Sequence, residues 1–158
     1  MESIEVVEQG SGRSARWARR AGWLLGLGIA VVALSSCLPP GAQKDATQVS
    51  AGQRHTCAVV ANGTVVCWGF NEFGQLGDGT TAARISPVAV PGLTGVVSLS
   101  AGVDHTCAVD GSGTTRCWGR NAAGQLGDGT TTNRTSPVAV LTGATVVSAG
   151  KQHTCATL

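Results

Sequence analysis

The chain has 158 residues, enough for one domain, and carries a formal net charge of +2. Only 13% of its residues are charged, against about 25% in an ordinary soluble domain, while 23 are glycine and none is tyrosine. The charge pattern excludes the basic footprint of a nucleic-acid-binding protein, because the arginines concentrate in one N-terminal segment and the other charges are scattered. Many glycines with few charges indicate short strands and tight turns.

The first segment of the chain has the order of an export signal. Four arginines between Arg13 and Arg20 precede an uncharged apolar run, residues 21–34, and small residues and Cys37 follow. The Leu-Ser-Ser-Cys sequence that ends at Cys37 resembles the bacterial lipobox, in which the cysteine receives acyl chains that hold the protein at the membrane. We therefore expect residues 1–37 to be a lipoprotein signal peptide, and the exported protein to lie on the bacterial cell envelope, anchored at Cys37. An uncleaved membrane anchor and a cleaved, released protein are the alternatives.

Most of the remaining chain is a repeat. Residues 38–48 contain Pro-Pro-Gly and are expected to form a flexible linker. A His-Thr-Cys motif then recurs at His55, His105 and His153, spaced by 50 and then 48 residues. This period is typical of propellers, solenoids and arrays, in which each unit buries its apolar face on the next. The predicted units are repeat 1 over 49–98, repeat 2 over 99–148, and the start of a third over 149–158.

Each repeat begins with two apolar segments joined by a three-residue turn that ends in Gly63 or Gly113. Such a turn favours a left-handed residue at its third position, which glycine supplies. It places the two cysteines of each repeat opposite each other at a non-hydrogen-bonded position, where facing side chains approach closely enough for a disulfide. An oxidising compartment outside the cytosol favours that bond as well. The predicted disulfides are Cys57–Cys67 and Cys107–Cys117.

The same residues allow two alternatives to disulfides. His55, Cys57 and Cys67 supply an imidazole and two thiolates, a set that can bind zinc and would make the protein a zinc-dependent hydrolase. The sequence has neither a recurring fourth ligand nor close Cys-x-x-Cys spacing. Free buried thiols are the second alternative. Cys155 has no partner in its own repeat, so we expect either an unpaired thiol or a chain that is part of a longer one.

The segment Gly-Gln-Leu-Gly-Asp-Gly-Thr follows each hairpin and is too rich in turn formers for a helix. It lacks the Lys-Ser/Thr of a phosphate-binding loop and the carboxylates of a calcium loop, so Asp78 and Asp128 are interpreted as turn caps. Two further short strands complete each repeat, at 86–90 and 96–98 and at 136–140 and 146–148. Four-stranded units repeated radially are propeller blades. The predicted fold is therefore all-β, a partial β-propeller made of four-stranded antiparallel blades, with an N-terminal hydrophobic signal or anchor helix.

Together these motifs resemble the regulator of chromosome condensation repeat family. The markers are Ala-Gly, His-Thr-Cys-Ala-Val, Cys-Trp-Gly-x-Asn and Gly-Gln-Leu-Gly-Asp-Gly-Thr-Thr, between Val49 and Leu158. The resemblance implies a seven-bladed propeller, and the cysteines make the chain similar to the exported bacterial branch. Family activities range from nucleotide exchange on a small GTPase to chromatin contact and β-lactamase inhibition, and none carries over by residue. About two and a quarter repeats do not close a ring, so we expect either a fragment of a longer propeller or chains that self-associate to complete one.

Function is expected to reside in binding. The histidines recur at one place in every unit, which favours a packing role, and no serine, histidine and acid set suggests hydrolysis, so we expect no enzyme activity, cofactor or metal. Positions that differ between the copies lie in loops, where binding specificity is usually placed, although the two phenylalanines could equally fill space between blades. We predict a non-catalytic protein-binding module tethered to the envelope, with an unidentified protein partner; guanine-nucleotide exchange is the alternative by family analogy. The candidate binding residues are Arg54, Phe70, Glu72, Phe73, Arg84, Asp104, Arg120 and Arg134.

Overall fold

The computed structural model describes residues 46–158, which form three consecutive antiparallel sheets. Blade 1 contains β1 (Gln48–Ala51), β2 (His55–Val60), β3 (Thr64–Gly69) and β4 (Arg84–Ala89), hydrogen-bonded in that order. Blade 2 repeats the order with β5 (Val96–Ala101), β6 (His105–Asp110), β7 (Thr115–Gly119) and β8 (Arg134–Leu141). Half-blade 3 contains β9 (Val146–Ala149) and β10 (Thr154–Thr157). The predicted all-β architecture of four-stranded antiparallel sheets is confirmed.

The predictions for the N-terminal segment lie outside the described residues. These predictions are the signal peptide or anchor helix over 1–37, the lipidation of Cys37 and most of the linker over 38–48. Nowhere between residues 46 and 158 is a helix long and apolar enough to cross a membrane. The signal, the lipid and the envelope location therefore stay predictions.

The strand order shows where the sheets begin. Residues 96–98 and 146–148, expected as the last strands of their repeats, instead begin β5 and β9, the first strands of the following sheets. The assignment of these strands to the preceding repeat was wrong. The physical reason is the short loop between β5 and β6, which makes these strands antiparallel neighbours with Ala101 opposite Thr106. A periodic sequence has no preferred starting point, so the predicted boundaries after residues 98 and 148 fall inside strands.

The cysteine hairpins have the predicted register. Cys57 lies opposite Cys67 and Cys107 opposite Cys117, and both pairs are disulfide-bonded with Cα atoms 4.1 Å apart. Gly63 ends the first turn with a φ of 67°, and a Cβ there would lie 2.6 Å from the backbone of the loop before β5, so only glycine fits. Each disulfide closes a loop of ten residues, which stabilises the fold by about 2–3 kcal/mol.

The core lies between consecutive sheets. Trp118 of blade 2 is completely buried against blade 1, in a cluster that includes Leu76, Val90 and Leu99. A second cluster joins Leu126 of blade 2 to Val147 of half-blade 3. Trp68, the counterpart of Trp118 in blade 1, is only half-buried. Each sheet is therefore buried mainly by its neighbours, as the repeat pattern predicts.

Candidate binding surface and its framework

A buried asparagine organises the long loop between the third and fourth strands of each blade. The side-chain amide of Asn71 donates to Asp78 Oδ1 at 3.2 Å and to the carbonyl oxygens of Thr80 and Ala82 at 3.0 Å, while Asn71 Oδ1 accepts from the backbone nitrogen of Leu76 at 2.9 Å. Asn121 makes the equivalent four hydrogen bonds in blade 2. One side chain thus satisfies three backbone groups of an otherwise irregular loop, which would be costly to bury unpaired.

The aspartates of these loops are turn caps, as the sequence predicts. Asp78 Oδ1 accepts from the backbone nitrogen of Thr80 at 3.0 Å and from its hydroxyl at 2.7 Å, and Asp78 Oδ2 pairs with the guanidinium of Arg84 at 2.8 Å. Burial alone would raise the pKa of Asp78, but these hydrogen bonds outweigh it and lower the pKa below its ordinary value.

Arg134 and Asp128 repeat this ion pair in blade 2, at 2.7 Å. The structure therefore places the binding candidates Arg84 and Arg134 beside these loop aspartates. Both arginines contribute to the loop framework, and neither is in the surface cluster described below.

The recurring histidines connect one blade to the next. His55 Nε2 of blade 1 lies 2.9 Å from Thr106 Oγ1 of blade 2, and that hydroxyl donates to the backbone oxygen of Gln75 at 3.0 Å. The hydroxyl has only one proton and gives it to Gln75, so His55 must donate from a protonated Nε2. His105, Thr154 and Gln125 form the same chain of hydrogen bonds between blade 2 and half-blade 3. We call this arrangement the histidine relay.

Burial keeps these two histidines neutral. It lowers the pKa of His55 and of His105 to about 4, the desolvation outweighing the attraction of Asp104. In both rings Nδ1 is buried and has no hydrogen-bond partner among residues 46–158. Protonation would place a second N–H at this unpartnered position, which explains the direction of the shift.

The structure excludes the zinc alternative at His55, Cys57 and Cys67. The two sulfur atoms are bonded to each other, so no thiolates are available, and Nε2 of the histidine is engaged with Thr106. The zinc-dependent hydrolase was therefore a wrong alternative, and so was the alternative of free buried thiols at these cysteines. Cys155 is exposed and is the free cysteine of the described part of the chain.

Five of the candidate binding residues form a continuous surface cluster, which we call the Arg-Phe ribbon. The guanidinium of Arg54 lies 3.8 Å from the centroid of the Phe70 ring, and the rings of Phe70 and Phe73 meet edge to face with centroids 6.4 Å apart. The guanidinium of Arg120 lies 4.9 Å from the centroid of the Phe73 ring and 3.4 Å from Asp104 Oδ2. The ribbon therefore runs from blade 1 to blade 2.

Equivalent backbone positions hold the ribbon in both blades. The nitrogen of Phe70 donates to the oxygen of Arg54 at 2.8 Å, and the nitrogen of Arg120 donates to the oxygen of Asp104 at the same distance. The framework thus brings the same two positions together twice. In blade 1 the two positions hold the cation-π pair of Arg54 and Phe70, and in blade 2 they hold the ion pair of Asp104 and Arg120. The backbone geometry is therefore shared, whereas the side-chain chemistry differs.

The ribbon is partly exposed, and its cation-π contacts are weak. Arg54 is exposed, Phe70, Phe73 and Arg120 are half-buried, and Asp104 is buried. A surface cation-π contact contributes only about 0.5–1 kcal/mol, so a partner can replace the contact between Arg54 and Phe70 at low cost. Glu72 lies between Phe70 and Phe73 in the sequence. It is exposed and makes no ion pair within residues 46–158.

Two protein-family models match the repeats of this chain. A model described as the regulator of chromosome condensation (RCC1) repeat matches residues 62–109 and 113–157, and a second model of the same description matches 46–75 and 96–125. The chain belongs to the RCC1 repeat family. Its assignment to the exported branch of that family stays a prediction.

Curated proteins that are similar to the chain share short, well-matched stretches with it. It is 47% identical over 58 residues to a secretion-regulating guanine nucleotide exchange factor of Bos taurus, and 46% identical over 44 residues to the ultraviolet-B receptor UVR8 of Arabidopsis thaliana. These stretches cover 37% and 28% of this chain. They span only 12% and 10% of the lengths of those curated relatives.

Two solved structures have a similar fold. Human WBSCR16 matches with a TM-score of 0.63 and 25% identity, over 70% of this chain and 30% of that protein. Prp20p of Saccharomyces cerevisiae matches with a TM-score of 0.65 and 20% identity, over 75% of this chain and 32% of that protein. The RCC1-like propeller architecture is thereby confirmed for the described residues.

Proposed function

We propose that this RCC1-repeat chain is a non-catalytic protein-binding module, that the Arg-Phe ribbon is its contact surface, and that the module is tethered to the bacterial cell envelope. One observation carries the binding proposal. Residues that recur between the copies form the framework, whereas five residues at positions that differ meet in one partly exposed cluster. Arginine and large aromatic residues dominate binding hot spots, because they bury much area and offer both apolar and polar contacts.

The two blades of the chain provide a matched test of the binding surface. A ribbon variant carries the residues of blade 2 in blade 1, namely Arg54→Asp, Phe70→Arg, Glu72→Ala and Phe73→Ala. A control variant exchanges a different loop in the same way, namely Ala82→Thr, Ala83→Asn and Ile85→Thr. Both sets of residues already fit this backbone in blade 2, so we expect both variants to fold, as checked by circular dichroism.

The expected result is selective loss of one partner. The unaltered chain and the control variant should retain the same protein from an envelope extract, and the ribbon variant should lose it. With the purified partner, titration calorimetry should show binding at least about tenfold weaker for the ribbon variant, since hot-spot losses are typically 2 kcal/mol or more. Equal retention by all three chains, or retention of no protein, would refute the proposal.

Guanine-nucleotide exchange is the second candidate, favoured by the 47% identity to an exchange factor over 58 residues. Because that stretch spans only 12% of the exchange factor, it is stronger support for a shared repeat than for a shared exchange activity. Recovery of a small GTPase as the ribbon-dependent partner would favour this candidate over an envelope receptor or enzyme.

The proposed membrane anchor is inferred from the apolar run over 21–34 and from Cys37. We expect metabolic labelling with palmitate to mark the protein in a bacterial host, because acyl chains are the anchor that this signal implies. The Cys37→Ala variant should lose the label and leave the membrane fraction, whereas Ser36→Ala should keep both. Equal labelling of both variants would contradict lipidation at Cys37.

A further inference from the structure

Arg54 presents a positive charge that no carboxylate of the described residues neutralises. Residues 46–158 contain five arginines. Four of them form ion pairs with aspartates, namely Arg84, Arg116, Arg120 and Arg134. Arg54 forms no such pair within this range, and its guanidinium carbon instead lies 3.8 Å from the centroid of the Phe70 ring. The charge of Arg54 is therefore available to a partner.

Stacking on Phe70 holds the Arg54 guanidinium without using its hydrogen-bond donors. At 3.8 Å the flat face of the guanidinium contacts the flat face of the ring, so the N–H groups remain free at its edge. The backbone nitrogen of Phe70 donates to the backbone oxygen of Arg54 at 2.8 Å and keeps the two residues side by side. A carboxylate fits such a fork through two parallel hydrogen bonds, and a side chain that is already held loses less freedom on binding.

The opposite end of the ribbon presents a second guanidinium. Arg120 Nη1 lies 3.4 Å from Asp104 Oδ2, which is longer than the about 2.7–2.9 Å typical of a strong charge-assisted hydrogen bond. A guanidinium has several N–H donors, so Arg120 can bind a second carboxylate while it keeps this contact. The side chain of Arg120 is 39% exposed and that of Asp104 only 6%, so the positive member of the pair is the accessible one.

The accessible charge at the ribbon favours an acidic partner. Arg54 and Arg120 present two positive charges, whereas the negative charge of Asp104 is buried. The exposed Glu72 is next to Phe73 in the sequence and offsets only part of this positive charge. Opposite charges across an interface bring partners together and exclude partners of the wrong sign.

The spacing of the ribbon matches that of an extended chain. The centroids of the Phe70 and Phe73 rings are 6.4 Å apart, and alternate side chains on one face of an extended strand are about 6.6 Å apart. The guanidinium groups lie one step further along on each side, 3.8 Å from the Phe70 centroid and 4.9 Å from the Phe73 centroid. An apolar side chain packed on the rings thus has its same-face neighbours, two residues away in each direction, beside the guanidinium groups.

We propose that the Arg-Phe ribbon binds an extended segment of its protein partner that has the pattern acidic-x-apolar-x-acidic. One carboxylate forms a bidentate pair with Arg54, and the second binds Arg120. The apolar side chain between them packs on Phe70 and Phe73. This inference rests on the binding function proposed above and specifies the chemistry of the partner.

Synthetic peptides test the pattern directly. The probe is fluorescein-labelled Glu-Ser-Leu-Ser-Glu, and the control peptide Glu-Glu-Leu-Ser-Ser has the same composition with the two carboxylates adjacent. We expect fluorescence polarisation to show at least about tenfold tighter binding of the probe, because only its spacing lets both carboxylates pair with arginines while leucine covers the rings. Equal affinity of the two peptides would overturn the proposal, and so would tighter binding of Lys-Ser-Leu-Ser-Lys.

Variants of the chain test whether the probe binds at the ribbon. Arg54→Gln should weaken probe binding at least about tenfold, because it removes the bidentate pair. Lys151→Gln removes the same charge from the exposed loop between β9 and β10 and should bind the probe like the unaltered chain. Glu72→Gln removes a negative charge beside the ribbon and should tighten probe binding by about twofold. Equal effects of Arg54→Gln and Lys151→Gln, or weaker binding by Glu72→Gln, would contradict the acidic pattern.

The envelope extract separates this inference from the binding function. Excess probe should displace the extracted protein from the unaltered chain, because the two compete for the ribbon. If the probe fails to bind while the ribbon variant still loses the extracted protein, the acidic pattern is wrong and the binding function stands. If the ribbon variant also retains that protein, the binding function itself is wrong.

Discussion

Lowering the pH from 7 to 4 should reduce the free energy of unfolding by about 3 kcal/mol for each of His55 and His105, since one pKa unit corresponds to about 1.4 kcal/mol. Burial lowers the pKa of both histidines from 6.5 to about 4. Between these values the unfolded chain binds protons that the folded chain does not, so stability falls as the pH falls from about 6.5 to 4. Urea unfolding followed by circular dichroism at several pH values measures the slope.

Single substitutions distinguish this effect from general acid denaturation. His55→Gln keeps an amide donor for Thr106 but does not titrate, so it should remove about half of the pH dependence. The lowered pKa of Asp78 affects stability only below its ordinary value of 3.8, outside most of this range. A flat profile between pH 6.5 and 4.5 would contradict the neutral histidine relay.

Trp118→Ala should reduce the free energy of unfolding by about 3–5 kcal/mol, the usual cost of truncating a large buried aromatic side chain. The indole is completely buried against blade 1 and donates to the backbone oxygen of Gln75, so the substitution leaves a cavity and removes a hydrogen bond. Guanidinium unfolding followed by far-ultraviolet circular dichroism measures the loss.

Trp68→Ala is the matched control, because Trp68 has the equivalent position in blade 1 and is only half-buried. Its cost should be clearly smaller than that of Trp118→Ala. Similar costs at the two positions would show that the tryptophans act within their own blades, against the packing between blades described above.

Local features of this fold were predictable from the sequence, and contacts between blades were not. The turn that ends in Gly63 fixes the pairing of Cys57 with Cys67, because a three-residue loop determines the register of the strands next to it. Spacing within one hairpin was therefore enough to predict the disulfides. The start of each sheet was not predictable in the same way, because a period of about 50 residues can be divided at any point.

The Arg-Phe ribbon and the histidine relay are examples of contacts between blades that the sequence did not predict. Comparison of the copies singled out Phe73 and Arg120, but their contact joins different blades and depends on how the sheets stack. The recurrence of His55 predicted a structural role, while its partner Thr106 lies 51 residues away. The sequence does contain a signal for this contact, since a threonine follows the histidine in every copy. Recognising that signal requires the idea that each histidine bonds to the threonine of the next copy.

The two disulfides each lie within one blade, whereas the contacts that join consecutive sheets in residues 46–158 are noncovalent. A reductant and an acid should therefore damage different parts of the molecule. Reduction should loosen individual hairpins and leave the contacts between sheets in place. Acid should weaken the contacts between sheets and leave the disulfide-bonded hairpins intact. Under oxidising, acidic conditions the contacts between sheets should be lost first, and the disulfide-bonded hairpins should persist longest.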